Sequence, residues 1–117
     1  MGILVLFHNP ACSKSRQALT LLESRGAAFE KVEYLKTPPG HAMLRRIVAG
    51  LDTPPTSLVR RDKRFGELGL SDAACATTAQ VVDLLAAHPE LMERPILLGD
   101  QRAVIGRPPE RVLELLD

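Results

Sequence analysis

The strongest constraint on this chain is a strand cut short and followed at once by a helix. Ile3-Leu4-Val5-Leu6-Phe7 is a continuous apolar run suited to a buried strand. His8-Asn9-Pro10 ends it, because proline restricts the residue before it and carries no amide hydrogen. From Ser13 the apolar residues change period. Ala18, Leu21 and Leu22 recur at three and four residues, and Gly26 sits where a helix would stop. Residues 29–35 read as a second strand, since Phe29, Val32 and Tyr34 favour extended backbone. Strand, helix and strand of these lengths form a βαβ unit, parallel and with a right-handed crossover.

The next part of the chain reads as helical. Thr37-Pro38-Pro39 predicts a helix start, with Thr37 as cap and proline in the first turn. Leu44, Ile47, Val48 and Leu51 follow the 3.6-residue period, and Gly50 with Thr53-Pro54-Pro55 ends that helix. A short helix is expected over residues 56–61. Thr77 and Gln80 fit a capping box ahead of Val81, Leu84 and Leu85, and His88-Pro89 closes the helix they open. Residues 94–98 and 103–105 are apolar strands joined by the turn Gly99-Asp100-Gln101-Arg102, which makes an antiparallel hairpin. Arg107-Pro108-Pro109-Glu110 opens a last helix with Val112, Leu115 and Leu116 facing inward. The order is βαβ, helices, then ββα. It predicts an α/β, thioredoxin-like fold with a mixed four-stranded sheet and a helical insertion over about residues 38–89. A length of 117 residues fits a single domain spanning 1–117.

Composition removes several functional classes. Fifteen basic and fourteen acidic residues leave a net charge of +1, which gives no global attraction to nucleic acid or an anionic membrane. No tryptophan, one tyrosine and three phenylalanines leave little with which to stack on single-stranded nucleic acid. No apolar run reaches the ~18 residues of a membrane span, and Ile3–Phe7 lacks the basic flank and length of a signal peptide, so the cytoplasm is expected. The two cysteines, Cys12 and Cys75, make neither a disulfide scaffold nor an all-cysteine zinc site. His8 and Cys12 lack two further convergent ligands, so no metal is expected.

Cys12 is the residue with chemistry to offer. It follows a strand and a turn and begins a helix, where unpaired amides favour a thiolate. Lys14 and Arg16 add to that field. Such settings lower a thiol pKa from ~8.5 to roughly 3.5–7.5. Ser15 stands where a dithiol motif has its second cysteine and cannot resolve a disulfide, so turnover at Cys12 would need an outside thiol. Cys75 is expected to be structural or without a role. Arg61, Lys63 and Arg64 are expected to be solvated surface charges. His41 and His88 are expected at the surface near helix ends.

The residues from Phe7 to Arg16 fit Tyr/Phe-His-Asn-Pro-x-Cys-x-x-Ser-Arg, the opening of the glutaredoxin-coupled arsenate reductase (ArsC) family, which this chain resembles. The likeness resumes at Tyr34-Leu35 and Thr37-Pro38-Pro39, then at Leu58-Val59-Arg60-Arg61. It closes with Arg94-Pro95-Ile96 and Gly106-Arg107-Pro108-Pro109-Glu110. Cys-Ser-Lys-Ser-Arg, Leu-Met-Glu-Arg-Pro-Ile and Ile-Gly-Arg-Pro-Pro-Glu are most similar to the short arsenate-reductase-like bacterial proteins.

The resemblance implies Cys12 as nucleophile and Arg60, Arg94 and Arg107 as oxyanion-binding arginines. Arg61 adjoins Arg60, and a one-residue slip exchanges them. His8 is implied to tune the thiol or order its loop, with Ser15, Arg16 and Pro95 supporting; the bond before Pro95 is implied to be cis. The implied activity is reduction of arsenate to arsenite. Glutathione is the reductant, glutaredoxin resolves the mixed disulfide, and no cofactor is bound; a monomer is expected. Gly106 stands where some members carry cysteine, and Cys-Ser-Lys-Ser replaces Cys-Gly-Thr-Ser. Two alternatives share this fold: a glutathione-dependent thiol reductase acting on another substrate, and an Spx-type regulator that binds RNA polymerase. The second typically carries Cys-x-x-Cys, which Ser15 breaks here.

Overall fold

The computed structural model describes residues 3–116. The one-domain expectation for 1–117 therefore includes Met1, Gly2 and Asp117, which lie outside the described residues. Strand β1 (Leu4–His8) leads into helix α1 (Ser13–Ser24) and strand β2 (Phe29–Glu33). Helices α2 (His41–Gly50), α3 (Lys63–Glu67) and α4 (Thr78–Ala87) come next in sequence. Strands β3 (Ile96–Leu98) and β4 (Ala103–Ile105) and a 3-10 helix, Pro109–Leu115, complete the described chain. The four strands lie in the order β2-β1-β3-β4. β1 runs parallel to β2 and antiparallel to β3, and β3 is antiparallel to β4. This is a thioredoxin-like fold.

Side-chain alternation along the strands makes two cores. Val5, Phe7, Ile96, Leu98 and Ala103 face α2 and α4, where they meet Leu44, Ile47, Val81 and Leu85. Leu4, Leu6, Leu97 and Val104 face Ala18 and Leu22 of α1 and Val112 of the last turn. Each fully buried Leu or Phe contributes roughly 1.5–3 kcal/mol. The α2 side is closed tightly. A Cβ on Gly50 would lie 2.8 Å from the Ala103 amide nitrogen, so the helix end approaches β4 as only glycine allows.

Four local expectations need correction. Helix α2 starts at His41 behind Gly40, not at Thr37. Pro38 and Pro39 keep the residues before them out of helical backbone, so the helix waits until the prolines are past. The expected helix over 56–61 is only a 3-10 turn, Pro55–Leu58, because β-branched Val59 pairs as a bridge with Met92. Helix α3 was not anticipated. Its signal is Asp62, whose side chain caps it by accepting from the Phe65 amide at 3.1 Å. The last helix is 3-10 rather than α. Pro109, Val112 and Leu115 are spaced by three, which matches three residues per turn and sets all three toward the sheet. The capping box of α4 forms as read, with Gln80 accepting from the Thr77 amide and donating its own amide to Thr77 Oγ1.

Candidate active site

The loop between β1 and α1 is built on Ser15. Its hydroxyl is buried, 2.6 Å from His8 Nδ1, and accepts from the Asn9 amide at 3.0 Å. Asn9 in turn accepts from the Ala11 amide through Oδ1 at 2.9 Å and from the Cys12 amide through its carbonyl at 3.0 Å. Arg16 Nη1 donates to the Pro10 carbonyl at 2.8 Å. His8, Ser15 and Arg16 thus hold the backbone of the Cys12 loop. Burial, then the Lys31 charge, lower the His8 pKa, with Glu33 opposing and Arg16 adding, so the imidazole is neutral at neutral pH.

Cys12 is the N-cap of α1, half-buried, in extended backbone. Burial alone pushes its thiol up. Hydrogen bonds from the Ser15 and Lys14 amides, together with the Arg94 guanidinium, outweigh burial and hold the pKa below its ordinary value. Arg107 approaches the same sulfur, with Nη2 3.6 Å from Cys12 Sγ and Nε donating to the Arg94 carbonyl at 2.9 Å. Arg94 Nε and the Tyr34 hydroxyl are buried without a hydrogen-bond partner among the described residues. Burial raises the Tyr34 pKa, with the Arg94 charge the leading opposing influence.

The two adjacent arginines separate cleanly. Arg60 pairs with Asp62 Oδ2 at 3.0 Å and lies 3.8 Å from Glu93 Oε1, an atom that is also 3.7 Å from Arg107 Nε. Arg60 is therefore tied to Arg107 through one carboxylate. Arg61 turns elsewhere: it is exposed, as expected of a surface charge, but its guanidinium is tied down. It donates to the Val59 and Thr56 carbonyls at 2.6 and 2.8 Å, to Thr56 Oγ1, and to Cys75 Sγ at 3.3 Å. It also stacks over the Phe65 ring and pairs with Asp72. Such a planar fork joins three segments that lack a common hydrogen-bonded element. Arg64 is a surface residue that pairs with Glu67 and Glu90. His41 opens α2 beside Asp83, and His88 caps α4 beside Glu90.

The Arg94–Pro95 bond is cis, and so is Arg107–Pro108. Pro95 packs on Gly106. A Cβ there would lie 2.7 Å from Pro95 Cγ and 3.1 Å from Val112 Cγ1, so a side chain at 106 requires Pro95 to move. An open groove of about 440 Å³ runs along α1, lined by Ser13, Arg16, Gln17, Thr20, Leu21 and Glu110; Cys12 does not line it. Among the described residues no three His, Cys, Asp or Glu side chains converge as metal ligands, and no helix is long and apolar enough to cross a membrane.

Sequence reasoning missed Tyr34, Asp62 and Glu93 as neighbours of the arginines. Asp62 follows Arg60 by two residues and Glu93 precedes Arg94, but only the Val59–Met92 bridge brings them together.

The sequence model of the ArsC family matches residues 7–115. An arsenate reductase of Neisseria meningitidis serogroup B is 43% identical over 118 residues, covering 99% of this chain and 100% of its own. An arsenate reductase of Escherichia coli is 32% identical over 117 residues, covering 99% and 82%. Among solved structures, an arsenate reductase from Vibrio cholerae has a TM-score of 0.83 at 38% identity, covering 98% of each chain.

Proposed function

Because the chain belongs to the ArsC family, we propose that it is an oxidoreductase that reduces arsenate to arsenite with glutathione and glutaredoxin. One observation carries this reading: a thiol of lowered pKa at a helix N-cap has an arginine Nη 3.6 Å from its sulfur. A thiolate and an anionic substrate repel each other. Guanidiniums that touch the thiol and offer paired donors to a tetrahedral oxyanion remove that repulsion. Arg107 and Arg94 do this at the sulfur, and Arg60 extends the cluster through Glu93.

The Cys12 thiolate attacks arsenic, and one arsenate oxygen, protonated, leaves as water. Glutathione sulfur then attacks Cys12 Sγ. The electron pair of the S–As bond stays on arsenic, which departs as arsenite, and Cys12 is left in a mixed disulfide. A glutaredoxin thiol attacks that disulfide and returns Cys12. Two features support an outside reductant. Ser15 replaces the second thiol of a dithiol motif, and Cys75 is fully buried beneath Arg61.

The test is NADPH consumption with arsenate, glutathione, glutaredoxin and glutathione reductase. Consumption that disappears in Cys12→Ser is expected. Consumption that persists in Cys12→Ser contradicts the mechanism, and consumption by neither protein contradicts arsenate as substrate.

A further inference from the structure

Glu93 sits among the arginines yet has no part in the chemistry above. Its Oε1 lies 3.7 Å from Arg107 Nε and 3.8 Å from Arg60 Nε. The backbone holds it there. Around the Val59–Met92 bridge, the Glu93 amide donates to the Leu58 carbonyl and the Arg60 amide to the Leu91 carbonyl, both at 2.8 Å. Arg60 and Glu93 are thus diagonal neighbours across a fixed pair. Asp62 anchors Arg60 from another side and is itself fixed as the cap of α3.

These distances exceed a hydrogen bond but not an effective charge interaction. Glu93 therefore attracts two guanidiniums without taking up their donors; Arg107 Nε donates instead to the Arg94 carbonyl. The three guanidinium charges are met by two carboxylates and, once Cys12 ionises, by its thiolate. The site is electrostatically near balance before any ligand arrives.

We propose that Glu93 is an affinity-setting residue of the oxyanion site, a resident carboxylate that weakens the binding of all tetrahedral anions alike. The inference rests on the oxyanion reading above. Arsenate, phosphate and sulfate are tetrahedral oxyanions of similar size and charge, so Coulomb attraction separates them poorly. They differ in whether the central atom accepts a thiolate and then an electron pair. A fully cationic cluster would fill with the unreactive anions. Glu93 lowers affinity for all of them, so the cluster does not stay occupied by any one; selection among them lies in the covalent step at Cys12. Loss of uniform binding costs the chemical step nothing.

The experiment measures sulfate and phosphate affinity by calorimetry, and arsenate kinetics, for wild type, Glu93→Gln and Glu93→Asp. For Glu93→Gln, sulfate and phosphate are expected to bind about tenfold more tightly. The KM for arsenate falls while kcat does not rise. Glu93→Asp, which keeps the charge, stays near wild type. A merely structural role for Glu93 would weaken binding, so equal or weaker binding by a folded Glu93→Gln protein overturns the inference alone. If neither protein binds sulfate, phosphate or arsenate, the oxyanion reading falls and takes this inference with it.

Discussion

Each of the two cysteines has an arginine beside its sulfur, and the two sites are otherwise opposites. Arg107 Nη2 is 3.6 Å from Cys12, and Arg61 Nη2 is 3.3 Å from Cys75. The nearer pair is the one expected to be inert. Cys75 is fully buried, and Arg61 is committed to carbonyls, a hydroxyl and Asp72, with its face on Phe65. Cys12 is half-buried, receives helix amides, and stands among arginines of which one keeps a buried Nε without a partner among the described residues. A neighbouring cation does not make a thiol a nucleophile. Access, oriented amides and unengaged donors do.

The widest separation is expected from the cysteines themselves. Cys12→Ser should lower arsenate turnover at least about a thousandfold, as loss of a covalent nucleophile does. Cys75→Ala should leave kcat/KM essentially intact and cost about 1 kcal/mol of stability, read by denaturant unfolding. Comparable losses in both would erase the contrast.

The arginines should divide in the same way. Arg107→Gln should reduce kcat/KM about a hundredfold with little change in melting temperature. Arg61→Gln should cost about 1 kcal/mol of stability, because it removes the donor to the Val59 and Thr56 carbonyls and to Cys75, while the folded fraction keeps its kcat/KM. A large loss of kcat/KM in folded Arg61→Gln would contradict this division.

Thiol titration sharpens the contrast further. A lowered pKa means that Cys12 is a thiolate over a pH range in which an ordinary thiol is protonated. Its alkylation by iodoacetamide should therefore reach half-maximum below the midpoint of a free thiol, and Arg94→Gln should move that midpoint upward. Cys75 should stay unalkylated until the protein unfolds.

The smallest effect belongs to His8, which supports the Cys12 loop together with Ser15 and Arg16. Its folded pKa lies below the ordinary 6.5, so on acidification the unfolded chain takes up a proton that the folded chain refuses. Stability should fall as pH drops from about 6.5 toward the folded pKa, and His8→Gln should flatten that slope in thermal melts.

The parts of this molecule legible in sequence are those set by local pattern. The βαβ opening, the capping box at Thr77, the apolar stripe of α2 and the hairpin all follow from period and punctuation. The Cys12 loop was legible for the same reason, since strand end, proline and cap lie within a few residues. Failures arose where distant segments decide. Whether Arg60 or Arg61 faces Arg107 depends on the Val59–Met92 bridge, which pairs residues far apart in the chain. Glu93 joins the site through the same long-range pairing. The 3-10 winding at Pro109 was written in a three-residue spacing that also satisfies a helix stripe, and only packing on the sheet chooses between them.

The central claim is that an arginine-held oxyanion is reduced through a bond to Cys12. It is tested most directly by incubating the protein with glutathione, with and without arsenate and without glutaredoxin, then locating glutathione by peptide mass spectrometry. The account predicts a glutathione mixed disulfide on Cys12 that forms only when arsenate is present. A mixed disulfide on Cys75, one that forms equally without arsenate, or none at all would contradict it.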